Sequence, residues 1–166
     1  GSKKQVRCGI AWFSKANQAN DDRTIDLKIL LNTLEGLDID LINIQYEDEV
    51  DKNSLVPKSL KDKVRTISGI DLKNDFSDVL ALMSSCDLII TIDNTVAHLA
   101  SALAKDTYVL LPAAPPNFRW LTDKNHTPWY PKSTKLLRKN KIGDWSNVLK
   151  SLRLELEKYL TSEISK

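Results

Sequence analysis

The stretch Leu88-Ile89-Ile90-Thr91-Ile92-Asp93-Asn94-Thr95-Val96-Ala97-His98-Leu99-Ala100-Ser101-Ala102-Leu103-Ala104 reads as a strand that turns directly into a helix. Leu88 to Ile92 is a short apolar run with β-branched residues in four of five positions. Such a run needs no polar alternation when both faces of a parallel sheet are covered. From Thr95 the spacing becomes helical, with Val96, Leu99, Ala100 and Leu103 on one face. Asp93 and Asn94 form the tight turn between them and supply capping side chains. A junction of this kind aims unpaired amides and the positive end of a helix dipole at one point, which attracts phosphate. His98, near the first turn, adds a side-chain donor. The competing reading is that Asp93 and Asn94 only cap and His98 only packs.

The rest of the chain supplies a frame for that junction. Gln5 to Trp12, Asp40 to Gln45, Val64 to Ile67, Thr107 to Leu111 and Thr134 to Leu137 read as further strands. Gly9 in the first of them permits close packing. Helices are expected over Ile25 to Leu34, capped by Thr24 and stopped by Gly36, and over Phe76 to Ser85, capped by Asp75 or Asn74. A closing amphipathic helix runs from Trp145 to Tyr159 behind Asp144, with Val148, Leu149, Leu152 and Leu156 inward. The charged segment Glu47 to Lys63 holds at most a short helix. Between Pro112 and Pro131 five prolines preclude long regular elements. The aromatics there, like Trp12, are expected to pack in the core or at a domain interface; for Trp12, Trp120 and Trp129 the alternative is a sugar platform.

Alternating strands and helices predict a parallel sheet with helices on both faces. Ligands of such sheets bind beyond the carboxyl ends of the strands. Those ends are Trp12-Phe13-Ser14-Lys15, Gln45-Tyr46, Ile67-Ser68, Asp93-Asn94 and Pro112-Ala113.

Composition narrows the partners. The chain has 166 residues, 42% hydrophobic and 28% charged, with a net charge of +2. That is enough for one well-buried domain, and it gives no reason to expect nucleic acid or an anionic membrane. The basic residues Lys132, Lys135, Arg138, Lys139 and Lys141 are accounted for by a solvated face. Cys8 and Cys86 read as small core residues of a reducing, cytoplasmic protein. No segment approaches the ~20 apolar residues of a membrane span. Gly1-Ser2 resembles a tag scar, so a piece of a longer protein is expected.

Four blocks, in order along nearly the whole chain, carry a family resemblance. They are Gly9-Ile10-Ala11-Trp12 with Asp22-Arg23, then Cys86 to Asp93, then Asn94 to Leu103. The fourth comprises Leu110-Leu111-Pro112, Phe118-Arg119-Trp120, Thr127-Pro128-Trp129-Tyr130-Pro131 and Gly143-Asp144-Trp145. In these the chain resembles the glycosyltransferase family 9-like (ADP-heptose transferase-like) domain found behind tetratricopeptide repeats in bacterial proteins. The resemblance implies a Rossmann-like three-layer αβα sandwich with a mostly parallel sheet, the C-terminal half of a GT-B fold, over residues 3–166. It departs from the family at Ser14-Lys15-Ala16-Asn17, at Ser101 and Lys105, and at Asn117-Phe118.

The resemblance also implies a site for a nucleotide-diphosphate sugar, with no metal and no other cofactor. Asp93, Asn94, Thr95 and His98 would hold the diphosphate. Ser14, Lys15 and Arg23 would approach from across the crevice, Gln45 and Tyr46 would border base and ribose, and Pro112 and Arg119 would complete the rim. Arg119 alternatively serves as an ion-pair or carbonyl clamp. The acceptor, a glycan or protein, would be bound by a missing N-terminal region that also supplies the base. The isolated domain would then bind donor and turn over nothing. Asp22 is the one local acid to consider as a base. Two other readings stand beside this one. The first is an inactive transferase-like domain that binds a partner. The second is a dinucleotide-binding enzyme, disfavoured because no Gly-x-Gly-x-x-Gly turn follows the first strand.

Overall fold

The structure is a computed structural model that describes residues 5–14, 22–46, 58–113, 118–122 and 125–164. Five strands, β1 (Val6–Ala11), β2 (Ile39–Asn43), β3 (Leu88–Ile92), β4 (Asp106–Leu111) and β5 (Thr134–Arg138), form one sheet in the order β2-β1-β3-β4-β5. All four pairings are parallel, so the predicted sheet is present and every carboxyl end lies at one rim. Five helices accompany it: α1 (Leu27–Leu34), α2 (Lys58–Lys61), α3 (Phe76–Ser85), α4 (Thr95–Ala102) and α5 (Ser146–Ile164). This is a Rossmann-like three-layer α/β/α fold.

Alternate residues along each strand separate the two apolar layers. Cys8, Ile10, Leu88, Ile90, Ile92, Tyr108 and Leu110 face α1 and α5, whose Leu27, Leu30, Leu31, Leu34, Val148, Leu149, Leu152 and Leu156 are all buried against them. Ala11, Ile42, Ile44 and Ile89 face α3 and α4 through Val79, Leu82, Met83 and Ala100. Beside them, Val109, Leu111 and Leu136 pack against Ala97 and Trp120. Burial raises the Cys8 thiol well above its ordinary range, with Cys86 contributing, and both cysteines are free.

Gly9 sits where β1 meets β3, paired in register with Ile89. A Cβ there would lie 2.7 Å from Ile89 Cδ1, 3.0 Å from Ile44 Cδ1 and 3.3 Å from Cys86 Sγ. Any side chain there would force the ends of Ile89 and Ile44 to move.

Three local expectations change. Val64 to Ile67 is not a strand but a single parallel bridge, Ile42 to Arg65, completed by Asn43 N–H to Arg65 O and Arg65 N–H to Leu41 O. With one ladder step at an edge and Lys63 and Thr66 exposed on either side, the segment lacks the length to propagate. Helix α1 begins two residues later than expected, because Asp26 caps it through Lys28 N–H while the Thr24 hydroxyl instead bonds the Ser14 backbone. On α4 the residues nearest the core are Ala97, Ala100 and Ser101, while Val96, Leu99 and Leu103 pack at its flank.

Strand order reverses direction at β1, since the chain leaves it for β2 on one side and returns to β3 on the other. The crevice at the carboxyl ends of β1 and β3 is therefore the topological switch point, where open α/β sheets bind ligands.

Candidate functional site

At the end of β3, Asn94 takes the N-cap position of α4, its Oδ1 accepting from Ala97 N–H at 3.4 Å and from the buried Thr91 hydroxyl at 3.0 Å. The next amides, Thr95 and Val96, make no hydrogen bond among the described residues, and Thr95 is exposed. A helix start leaves such donors for an outside acceptor. Asp93 does not cap. Its side chain is nearly buried and accepts from Trp120 Nε1–H at 2.7 Å.

Trp120, fully buried in a single turn of 3-10 helix (Phe118–Trp120), stacks on His98 at 4.8 Å and 12°. The opposite constraint comes from Tyr130, whose Oη lies 2.7 Å from His98 Nδ1. His98 is thus half-buried between two aromatics. Burial pushes its imidazole below the ordinary 6.5; Asp93 pulls it up, and the Arg119 charge pushes it further down. Arg119 itself stacks over Phe118 at 4.5 Å. Arg138 clamps the carbonyls of this turn, donating to Trp120 O and Leu121 O at 3.1 and 2.7 Å. Thr127 ties this segment together, donating to Arg119 O and accepting from Trp129 N–H.

From the β1 side, Arg23 reaches the same place, with Nη1 3.4 Å from Asp93 O. Its neighbour Asp22 is committed elsewhere. The carboxylate pairs with the fully buried ammonium of Lys139 and accepts from Gly143 N–H at 3.0 Å, while Lys139 Nζ donates to Asp22 O and lies 4.0 Å from the Trp145 ring. This overturns two expectations. Lys139 does not belong to a solvated face, and Asp22, its charge already balanced, is a structural anchor that is poorly placed to act as a base. Asp22 Oδ2 is buried without a hydrogen-bond partner among the described residues.

The remaining predicted residues divide. Gln45 is spent on the fold: its Oε1 accepts from Trp12 and Phe13 N–H at 3.1 and 2.9 Å and its Nε2 donates to Tyr46 O at 2.8 Å. The side chain therefore closes the end of β1, which corrects the expectation that it borders a base. Tyr46 is 40% exposed at the rim, with Lys73 Nζ 5.7 Å from its ring centre. Ser14 offers a half-buried backbone tied to Thr24, and Pro112 is buried at the end of β4. Lys15 lies outside the described residues. Trp12 and Trp120 are core residues as expected; Trp129 is not, being 58% exposed and edge-on to the exposed Phe118 at 5.5 Å.

Sequence reasoning missed Tyr130 and Lys139. Tyr130 stands in the Thr127–Pro131 block, but its role and that of Lys139 do not show locally, because their partners lie 32 and 117 residues away. Among the described residues no three His, Cys, Asp or Glu gather in a group able to hold a metal ion, and no helix is long and apolar enough to cross a membrane.

No protein-family model matches the chain. It is similar to Protein FlbA of Caulobacter vibrioides, 28% identical over 158 residues. That alignment covers 94% of this chain and 26% of FlbA, so the chain spans about a quarter of that relative's length. No solved structure matches.

Proposed function

We propose that this chain is the donor-binding domain of a metal-independent glycosyltransferase, holding a nucleotide-diphosphate sugar in the crevice between β1 and β3. The observation that carries the reading is the pair of open amides on Thr95 and Val96, set between Arg23 on one side and His98 with Arg119 on the other. Oriented amides and guanidinium groups balance a leaving diphosphate in the way such catalysis requires. Arg23 grips phosphate oxygens in pairs. The exposed Tyr46 ring offers a stacking face for the base. Acceptor and general base belong to a part of the protein outside this chain.

The test is titration of the chain with ADP and UDP, followed by amide NMR. Shifts centred on Asn94, Thr95 and His98 are expected, and His98→Ala weakens binding by about 1–3 kcal/mol, the loss of a hydrogen bond to a charged group. Spectra that stay flat at millimolar nucleotide overturn the reading. They would favour the alternative, an inactive transferase-like module that binds a partner, for which the exposed Phe118–Trp129 pair is the supporting observation.

A further inference from the structure

The contact between His98 Nδ1 and Tyr130 Oη can be made in two ways. Either the phenol O–H donates to a bare Nδ1, which leaves the ring proton on Nε2, or Nδ1–H donates to the phenol oxygen, which leaves Nε2 a bare acceptor. Elementary chemistry separates them. A phenol is an acidic donor whose oxygen lone pair is drawn into its ring, whereas the unprotonated imidazole nitrogen is a strong acceptor.

The surroundings fix the ring in place. Trp120 covers one face of the imidazole, and its own N–H is committed to Asp93. Tyr130 is held in a segment bracketed by Pro128 and Pro131, where Thr127 bonds both Trp129 N–H and Arg119 O. Nε2 makes no hydrogen bond among the described residues, nor is it one of the buried side-chain atoms left without a partner. A bare lone pair at that atom would repel a phosphate oxygen, while an N–H would bind it.

We infer that Tyr130 is a positioning residue that holds His98 as the neutral Nε2–H tautomer, a ready-made donor for a diphosphate oxygen at the start of α4. The segment 127–131 then belongs to the anion site even though Tyr130 itself meets no ligand. The ligand in this statement rests on the donor-binding reading; the tautomer does not.

Long-range ¹H–¹⁵N correlation spectra of the histidine rings test it in the full chain, with His98 assigned by its disappearance in His98→Gln. The free protein should show a protonated Nε2 and a bare Nδ1. In Tyr130→Phe the Nδ1 resonance should move to that of a nitrogen without a donor partner, the Nδ1–H tautomer should become detectable, and affinity for ADP should fall by at most the worth of one neutral hydrogen bond, about twofold to tenfold. The amide spectrum far from the site should be unchanged. Trp129→Ala, a change at the exposed neighbour, should leave the tautomer as it was. A proton on Nδ1 in the wild-type chain, or a Tyr130→Phe ring whose Nδ1 resonance and tautomer balance are both unchanged, overturns the role of Tyr130. Expected tautomer behaviour with no response to ADP overturns the donor-binding reading and supports the Tyr130 assignment.

Discussion

Two polar clusters flank the crevice, and each joins an aspartate to a tryptophan. On the β1 side, Asp22, Lys139 and Trp145 form a cluster in which every proton of consequence has an internal destination: Lys139 Nζ serves the Asp22 carboxylate and carbonyl and rests on the indole. On the β3 side, Asp93, Trp120, His98 and Tyr130 form a chain whose last members still face outward, with His98 Nε2 and the Thr95 and Val96 amides unclaimed among the described residues. The first cluster pins the return of the β1–α1 connection to the start of α5. The second is built as carefully and leaves donors over. Donors spent on internal acceptors hold a fold together; donors left over at a rim are prepared for a ligand.

The comparison breaks first at Lys139. Lys139→Met leaves the Asp22 charge uncompensated, and unfolding by urea should show a loss of about 3–5 kcal/mol, much of it regained in Asp22→Leu/Lys139→Met. A loss below 1 kcal/mol would mean that the pair is not buried in solution. Next comes Trp120→Phe, which removes one donor from the Asp93 carboxylate. Stability should fall by about 1–3 kcal/mol, and nucleotide affinity should fall with it because a smaller ring, no longer tied to Asp93, covers less of the His98 imidazole. If the two clusters differ as argued, Lys139→Met acts on stability with little effect on the affinity of the folded fraction.

The smallest effect sharpens the contrast by pH. Burial sets the folded-state value of His98 below the ordinary 6.5, so the unfolded chain takes up this proton first. The contribution to stability is complete above the unfolded value and is lost as pH falls through it toward the folded one. Comparing urea midpoints of wild type and His98→Gln at pH 7.5 and 5.5 isolates it. The wild type should lose more stability on acidification.

Much of this was legible along the chain. Leu88 to Ala104 declared itself because strand, cap and helix are contiguous, and the four inward residues of α5 followed from their spacing. Less legible was anything that depends on a distant partner. Thr24 looked like a cap until its hydroxyl was claimed by Ser14, ten residues back, and Gln45 looked available until the backbone of β1 claimed its amide. Lys139, one of five basic residues near the C-terminus, could not be told from the other four without knowing that Asp22 lies beneath it. Trp129 and Trp120 are both aromatic and nine residues apart; only the course of the loop decides that one is sealed in and the other looks out.

Gly9 carries a consequence that reaches beyond its own neighbourhood. Its bare Cα leaves room on one face of the sheet for the side-chain ends of Ile89, Ile44 and Cys86, in the layer that packs beneath α3 and α4. Any side chain added there would press those ends toward the layer that carries α4, so a screen scoring only nucleotide capture should return this buried position as a hit with no ligand in sight.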